Sequence, residues 1–311
     1  MIVKGKLVFQ NGTGGYLSGD VRQFRGLYTF MFMVYMCLTS FWVYKINWLE
    51  QNITKLHLFL NLIVLVTLFE CLFQLIYLGL LDNRGIKNNF LAFMINLFEV
   101  IRNTFARFIT IIVSLGYYTI VSSVEKYHGK IALACSFYSV ALAVALIVED
   151  MRHNHIMLPS VNFLLSMPVE IANLSIMAWI FVNFKASLQH FKENNSDLKH
   201  KFMMQMAQVY AGACFSGIFF GAIETIVRLS DPDLDSMWGS TWWWDKYPLF
   251  IFTFMLMGYM FVLQPSEDSS SISKYSDLKD DYAKNRNAAD NFNNDDILPT
   301  EENEDVARAG Y

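Results

Sequence analysis

The stretch FEVIRNTFARFITIIVSLGYYTIV, residues 98–121, decides how this chain is read. Most of it is an apolar helix of the kind that sits in lipid, where a hydrocarbon core of about 30 Å takes roughly 20 helical residues. Yet Glu99, Arg102 and Arg107 stand across its middle. A charge at that depth is costly and almost always faces a bundle interior or water. The stretch therefore predicts several packed spans rather than one.

Composition agrees. Of 311 residues 54% are hydrophobic and only 17% charged, where a soluble domain carries about a quarter. The apolar surplus lies in seven runs, near 24–44, 56–81, 89–118, 130–149, 157–184, 203–228 and 247–264, joined by short polar connections. In lipid every backbone polar group needs an internal partner, which restricts such runs to helices. The fold class is an all-α membrane protein: a seven-transmembrane-helix bundle over 24–265, preceded by a short segment 1–23 and followed by a disordered acidic tail over 266–311. The tail carries twelve acids against five bases, a net −7, which leaves +3 for the rest. It is rich in Asn, Asp, Glu and Ser and has too little apolar content to offset the entropy of ordering. No long basic stretch is present, so no nucleic-acid partner is expected.

Cys37, Cys71, Cys135 and Cys214 all fall inside apolar runs without CxxC spacing, and read as small core residues. His153 and His155, in a predicted outer loop, have no further ligands beside them, so no metal is expected. Orientation follows from the bases. The first, third and fifth connections carry eight lysines, the even connections only Arg84, Lys87, Arg152 and Lys246. The positive-inside rule then puts the N-terminus in the lumen and the C-terminus in the cytosol. Lys4, Lys6, Arg22 and Arg25, ahead of the first span, pull the other way, and we expect a translocated portion upstream of this chain.

Counting along the helices places Glu70, Glu99, Arg102 and Glu170 within roughly 5 Å of one depth, near mid-bilayer. Glu99 and Arg102 are spaced i, i+3 and share a face. Arg107 is five residues on, about 140° round the helix and nearer the cytosol, and is expected to reach either a different helix or the inner headgroups. Glu224 and Arg228 repeat the pairing at i, i+4 in the sixth span. These seven residues form the candidate intramembrane polar cluster. It reads either as a hydrated cavity for a ligand or ions, or as salt bridges that fix helix packing. GIFFG, residues 217–221, reads as a helix-packing seam, and Trp238 with Trp242, Trp243 and Trp244 as an interfacial belt. In the tail, YSDL (275–278) offers Tyr275 and Leu278 to a clathrin adaptor. Asn11 of NGT is a glycosylation candidate if lumenal.

Five stretches carry a family resemblance: GGYLSGD (14–20), IRNTFARFITIIVSLGYY (101–118), ARFITIIVSLGY within it, MAWIF (177–181) and MFVLQPS (260–266). Over roughly residues 15–266 the chain resembles the GOLD-domain seven-transmembrane-helix family of the lung seven-transmembrane receptor type, with the transmembrane protein 87 branch nearest. The resemblance implies Golgi and endosomal residence, a lumenal N-terminus and a role in membrane traffic. It matches Arg102, Arg107 and Gly116 to the third-helix motif and Glu70 to an acidic position of the second helix. Two departures stand out: Asn96 occupies the usual place of the third-helix acid, and only about 23 residues stand where relatives carry a β-sandwich.

The function expected is a non-enzymatic trafficking protein that escorts cargo or serves endosome-to-Golgi retrieval. Its partners would be membrane lipid, a transmembrane cargo protein and an adaptor at the tail. A cation channel, gated by pH or tension and using the intramembrane carboxylates, is the alternative; an orphan receptor-like protein comes third. No HExxH or GxSxG is present, and no cofactor is expected.

Overall fold

The computed structural model describes residues 15–17, 19–48, 55–116, 127–153, 159–193, 197–230 and 241–263. Asn11, Tyr275, Leu278 and the tail lie outside the described residues, as does the side chain of Arg228. The regular elements described are seven α-helices: α1 (Gly19–Trp48), α2 (Lys55–Arg84), α3 (Asn89–Ser114), α4 (His128–His153), α5 (Pro159–Glu193), α6 (Asp197–Ser230) and α7 (Thr241–Val262). The fold is the all-α seven-helix membrane bundle expected from the runs.

Most helices outlast their apolar run. With 35 and 34 residues, α5 and α6 are each about 50 Å long, well beyond the ~30 Å of hydrocarbon. Hydropathy marks where a helix crosses lipid; the backbone ladder continues into the polar margin. Five helices are long and apolar enough to cross on composition alone. The exceptions are α3, whose apolar run holds three charges, and α7, whose apolar part Lys246–Val262 is short.

Helix α3 is bounded sharply at both ends. The Asn88 side chain accepts from the backbone N–H groups of Phe90 and Leu91 at 3.1 and 3.3 Å, satisfying two orphan donors. At the other end the helix stops at Ser114 instead of reaching 118. Gly116 takes φ 75°, a left-handed conformation open to glycine at little cost, and its N–H donates to Val113 O at 2.9 Å. Within the spans Thr39, Thr67, Thr110 and Thr253 donate their hydroxyls to the carbonyl four residues back, at 2.7–2.8 Å. Side-chain oxygens are thereby satisfied without water.

Each helix packs against its neighbours in sequence and α1 meets α7, so the helices close into a ring. Helix α3 also touches α5 and α6 and is the innermost element. A continuous apolar core runs through Met31, Tyr35, Ile63, Ile111, Ile180 and Leu256. Helix α6 joins it with only one half. Met203, Met206 and Tyr210 are buried, but from Ala211 to Val227 no residue is. Its large side chains there, Phe215, Ile218 and Phe219, are exposed. Of GIFFG only the far end meets a neighbour: a Cβ on Gly217 would meet nothing within 4 Å, while one on Gly221 would lie 3.5 Å from the Tyr247 hydroxyl of α7. The close approach falls on α7, where a Cβ on Gly258 would lie 2.7 Å from Val209 of α6.

Candidate functional site

The shape of the site follows from that half-engaged helix. Phe181 and Phe184 of α5 pack on Tyr210, with ring centroids at 5.4 and 6.1 Å. Further along α6, Phe220 packs on Trp243 and Tyr247 of α7, at 6.0 and 5.7 Å. Between these attachments α6 stands away from the bundle and encloses a cavity of about 370 Å³ with α3, α5 and α7. Exposed Leu174 and Ile218 line it at the outer surface, between α5 and α6. Its walls are mostly apolar, with Arg107, Glu170, Asn173 and Tyr247 as polar groups.

The six candidate residues whose side chains are described do not make one cluster; they divide into two groups. The first group is a triad, buried at Arg102 and Glu70 and partly exposed at Glu99. Arg102 Nη1 lies 3.1 Å from Glu70 Oε1 on α2, and Nη2 lies 3.6 Å from Glu99 Oε1 one turn back on α3. The Arg102 and Glu70 side chains are 7% and 5% exposed, Glu99 27%. The guanidinium also stacks over the Phe252 ring of α7, 5.3 Å from its centroid. Beside Phe252, the Thr253 hydroxyl is 2.7 Å from Tyr35 Oη of α1, which ties α7 to α1 at the same level. Two acids against one base leave the triad formally at −1, and Lys246 of α7 is the next cation acting on Glu70.

The second group belongs to the cavity. Arg107 Nη2 donates to Asn173 Oδ1 of α5 at 3.0 Å, and its guanidinium lies over Tyr138 of α4 at 5.7 Å. Glu170, expected beside the triad, is exposed on α5 and lines the cavity. Counting residues gives depth along a helix but not rotation about its axis, and rotation takes Glu170 away from Arg102. Glu224 of α6 pairs with the Tyr247 hydroxyl. Asn173, Phe252, Tyr35 and Thr253 were missed by the sequence reading. Only Asn173, a lone amide in an apolar stretch, carried a signal that could have found it.

A closed bundle of seven helices with a charged third helix innermost is a specific arrangement, and the comparison with known families settles which one. Residues 24–270 match the model of the GOST seven-transmembrane domain. The chain belongs to the GOST family. It is a multi-pass membrane protein related to transmembrane protein 87. Transmembrane protein 87A of Xenopus tropicalis is 21% identical over 262 residues, 84% of this chain and 48% of that protein. This GOST chain thus spans about half the length of the curated relative it matches.

Proposed function

We propose that this GOST protein is a non-enzymatic escort in Golgi and endosomal membrane traffic, and that its cavity holds the chain of a membrane amphiphile. The observation that carries this reading is the cavity between α3, α5, α6 and α7, with lipid-facing Leu174 and Ile218 at its edge and the Arg107–Asn173 pair inside. An apolar pocket with a few convergent polar groups is the usual form of a small-molecule site. Arg107 offers a headgroup a cation that no carboxylate neutralises at contact distance among the described residues. The positive-inside balance orients the chain with α1 starting at the lumenal side, so the tail with Tyr275 and Leu278 meets cytosolic adaptors.

Gly217→Trp tests the cavity. The substitution projects into open space at the cavity wall, so the fold is expected to survive. Native mass spectrometry of the protein released from detergent with added phospholipid should show bound lipid for the parent chain and none for the variant. Equal retention by both would overturn the reading. The tail has its own test: Tyr275→Ala with Leu278→Ala should move the full-length protein towards the plasma membrane, and an unchanged distribution removes the adaptor from the account.

The net negative charge of the triad favours a second reading, a cation channel. It is the weaker one, because Glu70 and Arg102 are buried and bound to each other. It requires liposome currents that vanish when Glu70 and Glu99 are neutralised.

A further inference from the structure

Phe252 belongs to both halves of the site. One side of its ring carries the Arg102 guanidinium, 5.3 Å from the centroid. It also lines the cavity, together with Asn103 and Arg107 of α3. Arg102, Glu70 and Glu99 do not line that cavity, although Arg102 is the chain neighbour of Asn103. Thus the Phe252 ring touches both the charged triad and the cavity of about 370 Å³. Its place is fixed on the next residue, since Thr253 is held by Tyr35 of α1 and by the Leu249 carbonyl.

We propose that Phe252 is a specificity-determining partition. It closes the cavity to Arg102 and its two carboxylates, so that polar recognition in the cavity is left to the groups that line it, Asn103, Arg107, Glu170, Asn173 and Tyr247. The physical argument runs through both faces of the ring. Towards Arg102 it supplies the negative face of a quadrupole to a cation that has left water. Towards the cavity it presents a hydrocarbon surface suited to an acyl chain. A smaller residue opens a path between the two compartments and places a second cation, with its acids, in reach of a bound headgroup. This extends the proposed function, because it rests on the cavity being a binding site, but its first readout does not.

The experiment uses the full chain in nanodiscs, with Phe252→Ala and the bulk-preserving Phe252→Leu. A water-soluble carbodiimide with an amine nucleophile labels carboxylates, and peptide mass spectrometry locates the label. Glu70 labelling should rise about thirtyfold in Phe252→Ala, the scale of one lost desolvated cation–π contact, and less in Phe252→Leu. In native mass spectrometry the ratio of bound phosphatidylglycerol to phosphatidylcholine should change in Phe252→Ala relative to the parent. Unchanged Glu70 labelling in folded Phe252→Ala overturns the partition. If that variant fails to fold, the likewise smaller Phe252→Val takes its place, and Glu70 labelling equal to the parent overturns the proposal. Labelling that rises while neither protein binds lipid upholds the partition and rejects the amphiphile reading of the cavity.

Discussion

Arg102 has three neighbours because no single one would hold a cation away from water. Glu70 supplies the close counter-charge, Glu99 a second at longer range, and Phe252 an aromatic face. Taking an ion pair out of water costs more than a lone contact returns, and removing one member of such a pair is more costly still. Arg102→Leu strands two carboxylates and should lower stability by about 3–5 kcal/mol. The triple change of Glu70, Glu99 and Arg102 to Leu should recover most of that, read by thermal unfolding in detergent. A single and a triple variant of equal stability would mean the groups do not act on one another. At this scale the sequence was legible where charge and spacing coincide: Glu99 and Arg102 announce themselves at i, i+3. Phe252 carried no such mark, because one phenylalanine among the many of an apolar helix looks like any other.

The helices show a different balance. Seven were countable because lipid demands long apolar runs, but their ends were not, since the ladder extends past the hydrocarbon wherever polar residues tolerate it. The end of α3 is the counterexample, set by Gly116 and its left-handed turn. Helix packing was the least legible feature. The GxxxG pattern of α6 pointed to Gly217 and Gly221, whereas the tight crossing uses Gly258 of α7 against Val209. A motif records where a close approach is allowed, and the partner's shape decides whether it happens. Gly258→Val should therefore cost about 1–3 kcal/mol through overpacking, measured as a lower unfolding temperature. Gly217→Val should leave that temperature unchanged. The reverse order would place the seam where the sequence pattern first suggested.

Across the whole molecule, polar groups inside the bundle sort by the direction their helices face. Depth put Glu70, Glu99, Arg102 and Glu170 on one level; the ring then turned three of them inward and left Glu170 on the side of the cavity. The closed contact between α1 and α7, with Tyr35 and Thr253 hydrogen-bonded at its centre, shuts the triad away from lipid on that side. The half-detached α6, on the other flank of α7, opens the bundle there and makes the cavity. One chain thus holds a sealed ionic core and an open amphiphilic pocket next to each other. A lipid-soluble carbodiimide, applied to the protein in nanodiscs and mapped by mass spectrometry, tests that division most directly. Glu170 should take the label, while Glu70 stays protected until Phe252 or Arg102 is replaced. Labelling of Glu70 in the unmodified chain, at a rate equal to Glu170, would contradict the sealed core.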